Sequence, residues 1–117
     1  MNTKPLWSPS PAQVVSSNMQ EFMTLAADRS GKDFKTYDDL WNWSVSDSGD
    51  FWSMLWDYCN VIGDKGETIL INGDDIEKAE WFPDAQLNFA ENLLHERSDK
   101  PAIIFRAEDR ILSQLSF

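Results

Sequence analysis

The chain has 117 residues, of which 42% are hydrophobic, and its 20 acidic and 10 basic residues give a formal net charge of −10. This length predicts one domain with a limited core, and the acidic charge argues against nucleic-acid binding, which depends on Lys and Arg neutralising phosphates. The one cysteine, Cys59, excludes an intrachain disulfide. Together with the absence of a charged-then-apolar leader before Pro11, it predicts a cytoplasmic location. No run of about 18 apolar residues occurs, so we expect no membrane-spanning helix.

The N-terminal part of the chain predicts an extended arm followed by a helix. Residues 1–9 contain two prolines around Trp7, whose side chain we expect to pin the arm to the body. A helix is expected to begin after Ser10, an N-cap that forms a capping box with Gln13, and to end at Gly31. Its apolar face is predicted by residues at spacings of three and four: Val15, Met19, Phe22 and Ala26.

Two further helices rich in aromatic residues are predicted. Thr36 is the expected N-cap of a short helix that ends near Val45, and the polar residues 46–50 are expected to break the chain. The next helix is expected from Phe51 to about Gly63, because apolar residues recur there every three or four positions. That apolar face consists of Phe51, Trp52, Leu55, Trp56 and Cys59.

The second half of the chain predicts less helix. Residues 64–66 indicate a turn, residues 68–71 indicate a short strand, and residues 72–75 indicate its end. A fourth helix is expected from Ala85 to His95, with Asp84 as its N-cap.

The last 17 residues predict a β-hairpin, with strands at 101–106 and 110–117 around a turn at 107–109. The second strand runs to Phe117 without a turn signal, so we expect that it continues into further sequence. The predicted fold class is therefore α+β: a mostly helical module of about four helices, a short strand, and a C-terminal hairpin that would belong to a following domain.

Residues 81–94, with the sequence WFPDAQLNFAENLL, are the most informative stretch. They resemble the entry segment of the AMP-forming acyl-CoA synthetases and, through residues 88–94, the acetoacetate branch of that family. Residues 95–97 depart from the ending expected in the acetate and propionate branches. Further stretches that resemble the family occur in the expected order: 7–10, 37–45, 51–52, 99–104 and 115–117.

The resemblance implies a two-step ligation in a longer enzyme. A carboxylate and MgATP would give an acyl-adenylate and pyrophosphate, and CoA would then displace AMP to form the thioester. ATP, Mg and CoA are thus implied for the parent protein, and none of them for this segment. The family's phosphate loop, nucleotide contacts and mobile lysine have no counterpart in residues 1–117, so we assign no catalytic, cofactor-binding or metal-binding residue.

The same resemblance implies how the chain is organised. Residues 1–98 would be the N-terminal helical module, and residues 99–117 would begin the large adenylating domain. The implied partner is the rest of the same polypeptide, with neither nucleic acid nor membrane. Residues 81–83 would anchor a loop at that seam, where Glu91 and Asn92 are expected to hydrogen-bond unpaired backbone groups.

Several side chains allow a chemical interpretation beside a structural one. The GxxG pattern at 63–66 could clamp a nucleic-acid backbone, but its acidic surroundings favour a helix-ending turn. His95 is expected to be a cation at a helix C-terminus, and Cys59 a buried apolar side chain. Trp52 and Trp56 could stack on a sugar or base, although core or interdomain packing is favoured.

Two other functions remain open at this point. The chain could be a free-standing acidic module that binds a partner protein through its tryptophans. It could also come from a related ligase that acts on acetate or propionate.

Overall fold

The structure is a computed structural model that describes residues 5–108 and 112–117. Within these ranges it contains five helices and three antiparallel strand pairs, which confirms the predicted α+β class. The helices are α1 (Pro11–Val15), α2 (Asn18–Ser30), α3 (Tyr37–Ser46), α4 (Ser48–Tyr58) and α5 (Phe89–Leu93). The strand pairs are β1 (Gly63–Asp64) with β4 (Gln86–Leu87), β2 (Leu70–Ile71) with β3 (Glu80–Trp81), and β5 (Pro101–Arg106) with β6 (Leu112–Ser116).

The first predicted helix is divided in two by a pair of serines. The capping box is present as predicted: the Gln13 amide donates to Ser10 Oγ at 3.3 Å, and the Ser10 amide donates to Gln13 Oε1 at 2.8 Å. The prediction of one continuous helix is wrong, because Ser17 accepts a bond from the Gln20 amide and starts α2. Serine side chains offer such local alternatives to helical backbone bonds. Gly31 ends α2 in the left-handed region, as predicted.

The helices α3 and α4 follow each other almost without a break. Thr36 caps α3 through a capping box with Asp39, as predicted. The predicted break at 46–50 is wrong in extent, because Asp47 alone, at φ −142° and ψ 56°, separates the two helices. The helix α4 also ends at Tyr58, earlier than the predicted end near Gly63. Asn60 then adopts a left-handed conformation with φ 52°.

The core lies among α2, α3 and α4. In this core the Phe51 ring lies edge to face against two other rings. Its centroid is 5.7 Å from that of Phe22 and 5.6 Å from that of Trp43. Such aromatic pairs add to the free energy gained by burial. The buried side chains are Phe22, Met23, Ala26, Leu40, Trp43 and Met54, with Phe34, Phe51, Leu55 and Tyr58 packed against them.

The second half differs from the prediction in its strand pairs and in the start of its helix. β1 pairs with β4, so that Gly63 lies opposite Leu87, and neither strand was expected. Because residues 86–87 are extended, the last helix is shorter than the predicted 85–95, and Asn88 caps it in place of Asp84. The short strand at 68–71 is confirmed as Leu70–Ile71, paired with Glu80–Trp81.

The C-terminal hairpin is present as predicted, with Ile103 opposite Leu115 and Phe105 opposite Ser113. The predicted second strand began at 110, and residues 109–111 lie outside the described part. Every residue of β5 is exposed, and the apolar Ile103, Ile104 and Leu115 are each more than half exposed. The Cα radius of gyration is 19.3 Å, against about 13 Å for a compact domain of 100 residues, as expected if the hairpin stands away from the helical core.

Two glycines test the helix boundaries in opposite directions. Gly31 has φ +68°, and Gly49 lies inside α4 with open space where a Cβ would be. Gly31→Ala should lower the free energy of unfolding by about 1–2 kcal/mol, because an L-residue is strained in the left-handed region. Gly49→Ala should raise the free energy of unfolding by up to about 1 kcal/mol, because alanine has a higher helix propensity than glycine. Urea unfolding followed by tryptophan fluorescence measures both, and equal effects would contradict the assigned helix ends.

Candidate functional site

The segment at 81–82 packs onto the aromatic face of α4. The Trp81 ring lies edge to face against Trp52, with centroids 5.9 Å apart, and the Phe82 ring lies 5.0 Å from Trp56. Trp52 and Trp56 are four residues apart and therefore share one face of the helix. Packing between these rings is therefore observed, as the favoured interpretation of Trp52 and Trp56 expected.

The backbone at Phe82 is strained. Its φ is +47°, in the left-handed region that bulky residues avoid, and it precedes Pro83, which further restricts it. The Phe82 amide donates to Ile69 O at 2.8 Å, and Phe82 O accepts from the Ala85 amide at 2.9 Å. A conformation of this kind costs of the order of 1–3 kcal/mol and persists only where its surroundings hold it.

The packed rings leave a small apolar pocket at the surface. It has a volume of about 270 Å³ and is lined by Trp52, Trp81 and Phe82. Trp52 remains 44% exposed and Trp81 remains 43% exposed. We call these three residues the aromatic pocket; it is the candidate docking site of the chain.

Asn92 ties α5 to the loop that follows α4. Its Oδ1 accepts from the Ile62 amide at 2.7 Å, and its Nδ2 donates to Ile62 O at 2.8 Å and to Asn88 O at 3.0 Å. This confirms the expectation that Asn92 bonds backbone groups, although the partner is the module's own loop. The neighbouring Gly63 allows β1 to approach β4, since a Cβ there would lie 2.6 Å from Leu87 Cβ.

Lys65 ties the same loop to α4. Its Nζ donates to Asp57 Oδ1 at 2.8 Å, to Ser53 Oγ at 3.1 Å and to the Ser53 carbonyl at 3.3 Å. The Arg29 guanidinium reaches the other carboxylate oxygen of Asp57 at 3.2 Å. The bond from Lys65 is the main reason why the pKa of Asp57 lies below its ordinary value. Sequence reasoning missed Lys65, because nothing in its local sequence indicates a partner on the preceding helix.

The other candidate side chains lie apart from the aromatic pocket. Residues 63–64 of the GxxG pattern form a strand rather than the expected helix-ending turn, since α4 already ends at Tyr58, and Lys65 bonds α4. His95 lies just beyond α5, with Nδ1 2.6 Å from Asn92 O.

Two sequence-based expectations about exposure are wrong. Cys59 is exposed, because α4 ends at Tyr58 and the cysteine is its C-cap. Trp7 is 71% exposed and therefore does not pin the arm to the body. The described residues before Ser10 form no helix or strand.

Residues 5–108 and 112–117 contain no group of three or more His, Cys, Asp or Glu side chains placed to hold a metal ion. None of the described helices is long and apolar enough to cross a membrane.

Comparison with known proteins identifies the class of the chain. Residues 37–93, which include α3, α4 and the aromatic pocket, match the family described as acetyl-coenzyme A synthetase N-terminus. The chain thus belongs with the N-terminal segments of acyl-CoA synthetases, as the resemblance predicted. No solved structure matches the chain.

The individual relatives are more specific. The chain is 44% identical over 114 residues to acetoacetyl-coenzyme A synthetase of Rhizobium meliloti, a match that covers 97% of this chain and 18% of that protein. It is 31% identical to acetoacetyl-CoA synthetase of Gallus gallus, over 94% of this chain and 17% of that protein. It is 35% identical to malonamoyl-CoA synthetase of Penicillium aethiopicum, over 68% of this chain and 11% of that protein. The chain therefore spans less than a fifth of the length of these relatives.

Removing the two donors of Asn92 should loosen α5. Asn92→Asp keeps the shape of the side chain but places an anion against Ile62 O, and should lower the free energy of unfolding by about 1–3 kcal/mol. Asn42→Asp, at an exposed position of α3, introduces the same charge and should change the free energy of unfolding by no more than about 0.5 kcal/mol. Urea unfolding of both variants measures the difference. Similar losses at the two positions would mean that charge alone is responsible.

Asp57 should contribute to acid sensitivity. Its folded-state pKa lies below the ordinary value of 3.8, so its stabilising effect is present above that value and is lost as pH falls through the folded pKa. The free energy of unfolding should therefore decline as the pH falls below about 5, and decline less in Lys65→Met, which lacks the main cause of the lowered pKa.

The matched control for this pH series is Lys78→Met, which removes the exposed ion pair of Lys78 with Asp75. Exposed pairs of this kind contribute little, so its acid limb should follow that of the unsubstituted chain. If Lys65→Met and Lys78→Met change the acid limb equally, Asp57 is not held by Lys65.

Proposed function

We propose that this chain is the N-terminal module of an AMP-forming acid–CoA ligase that acts on acetoacetate. The whole enzyme would convert ATP, acetoacetate and CoA to AMP, pyrophosphate and acetoacetyl-CoA, in the cytoplasm. The support is the similarity to proteins named acetoacetyl-CoA synthetase over nearly the whole chain. ATP, Mg and CoA would bind outside residues 1–117, and this chain would supply no catalytic group.

The role we propose for the module is mechanical: it packs against the adenylating domain and supports it. The observation that carries this proposal is the exposure of apolar side chains on both faces of the β5–β6 hairpin. An isolated two-stranded hairpin is at best marginally stable in water, and its open edges accept further strands. Residues 99–117 would thus belong to the sheet of the adenylating domain, and residues 1–98 would form the module.

The aromatic pocket is the second part of the proposed contact. Trp52 and Trp81 together leave a nearly all-apolar surface, of the kind that marks an interface. A free-standing module that binds another protein would use the same surface. The exposed hairpin favours the remainder of the same polypeptide, because it offers both backbone edges and apolar side chains to a sheet.

A chimaeric enzyme tests the proposal. In the Rhizobium meliloti relative, the segment that matches this chain is replaced by residues 1–117 of this chain. The chimaera should release pyrophosphate with acetoacetate over many turnovers when CoA is present, and in a single turnover without CoA, because the first step alone releases pyrophosphate; acetate and propionate are the comparison acids. An insoluble or inactive chimaera would contradict the proposed module.

Trp81→Ala in that chimaera separates support from chemistry. It should lower the soluble yield and the Tm of the chimaera, while the ratio of kcat/KM for acetoacetate to that for acetate stays within about twofold, since uniform loss of support leaves substrate discrimination unchanged. Trp41→Ala, at an exposed position of α3, is the control for loss of a tryptophan elsewhere. Unchanged Tm with abolished turnover in Trp81→Ala would show that the role is not mechanical.

A further inference from the structure

One of the seven asparagines of the chain, Asn72, is followed by a glycine, and it stands directly after β2. Each of the other six is followed by a residue with a larger side chain: threonine, methionine, tryptophan, valine, phenylalanine or leucine. A side chain on the following residue hinders the approach of its backbone nitrogen to the asparagine amide, and glycine has no Cβ. The backbone nitrogen and the side-chain amide therefore meet with the least hindrance at Asn72 and Gly73.

The structure leaves both of these groups accessible. Asn72 and Gly73 are exposed in the loop that joins β2 to β3. Within residues 5–108 and 112–117, no atom accepts a hydrogen bond from the Gly73 amide. The nitrogen of Gly73 is thus not engaged in holding the fold, and the solvent can remove its proton.

Few interactions hold Asn72 in place. Its Nδ2 donates to Lys78 O at 3.3 Å, which is longer than most N–H···O bonds, and its carbonyl accepts from the Asp75 amide at 3.0 Å. The strands on either side of the loop pair over two residues each. Local opening of such a short, exposed segment breaks few contacts, so Asn72 can reach other conformations while the helical core stays folded.

We propose that Asn72 is a site of spontaneous deamidation in the folded chain. The Gly73 nitrogen loses its proton to hydroxide and attacks Asn72 Cγ. The new N–Cγ bond closes a five-membered imide, while the Cγ–Nδ2 bond breaks and Nδ2 leaves as ammonia with a proton from water. A second water molecule opens the imide. Its attack at Cγ gives aspartate in a regular backbone, and its attack at the backbone carbonyl carbon of residue 72 gives isoaspartate.

Both products change the loop between β2 and β3. The donor to Lys78 O is replaced by a carboxylate, in a loop that already contains Asp74, Asp75 and Glu77. In isoaspartate the backbone also runs through Cγ, which adds a methylene to the path between β2 and the turn closed by the Asp75 amide. The products carry one more negative charge than the original chain, so anion exchange separates them from it.

Asn60 is an internal control for the conformation of Asn72. It is also exposed, its φ is 52° against 53° for Asn72, and its Nδ2 donates to Tyr58 O at 3.3 Å. The difference lies in the next residue, since Asn60 is followed by Val61, whose amide donates to Trp56 O at 3.2 Å. A comparison of these two asparagines therefore isolates the contribution of the following residue.

Incubation of the folded 117-residue chain at mildly alkaline pH tests the proposal. Peptide mapping by mass spectrometry locates each converted asparagine, because replacing NH2 by OH changes the peptide mass, and an isoaspartyl methyltransferase assay measures isoaspartate. Asn72 should convert at least about tenfold faster than Asn60, because a side chain hinders the attacking nitrogen of Val61 and not that of Gly73. Parallel incubation in urea gives the rate for the unfolded chain.

Gly73→Ala should slow the conversion of Asn72 about tenfold, because it places a methyl group beside the attacking nitrogen. A Cβ there would lie 2.6 Å from Leu70 Cδ2, so the substitution can loosen the loop. Loosening would speed the reaction, however, and cannot explain a slower one.

Three results would overturn the proposal. Conversion of Asn72 in urea but not in the folded chain would show that the bonds to Lys78 and Asp75 protect it. Equal rates at Asn72 and Asn60, or an unchanged rate in Gly73→Ala, would show that the glycine does not determine the site. None of these measurements requires ligase activity, so this proposal and the proposed function can fail separately.

Discussion

The three-turn helix α4 is the element on which the rest of the structure depends, because it is packed on two sides. Phe51 and Met54 face the core formed with α2 and α3, while Trp52 and Trp56 face the segment at 81–82. Side chains three and four residues apart keep both faces in register. A change in the rotation or length of α4 would therefore disturb the core and the aromatic pocket together.

Polar contacts contribute to this arrangement mainly by fixing the course of the chain between the helices and strands. The ion pairs Lys32–Asp47 and Lys78–Asp75 are exposed, and pairs of that kind contribute little to the free energy of unfolding. Asn92 and Lys65 instead fix where the loop after α4 runs, by bonding Ile62 and Ser53 at specific atoms. The packing of the apolar rings stabilises the fold, and the side chains of Asn92 and Lys65 fix the position of this loop.

How much the sequence predicted depended on the distance over which each signal acts. The capping boxes at Ser10 and Thr36 and the stop at Gly31 are interactions within four residues, and they were predicted correctly. The β1–β4 pair joins residues more than twenty positions apart, and the start of α5 was wrong because that pair keeps residues 86–87 extended. The rings of the pocket were expected to pack, yet neither the left-handed Phe82 nor the bonds of Lys65 can be derived from spacing.

The exposed hairpin has a consequence for how such a chain folds during synthesis. The contacts of α2, α3 and α4 are mostly local and can form while the ribosome is still adding residues, because domains generally fold as units from the N-terminus. β5 and β6 leave the ribosome later, and under the proposed assignment to the adenylating domain they would stay uncovered until the rest of that sheet is made. During this interval Ile103, Ile104 and Phe105 would be open to other nascent chains, with the charges of Lys100 and Arg106 at the two ends of the strand.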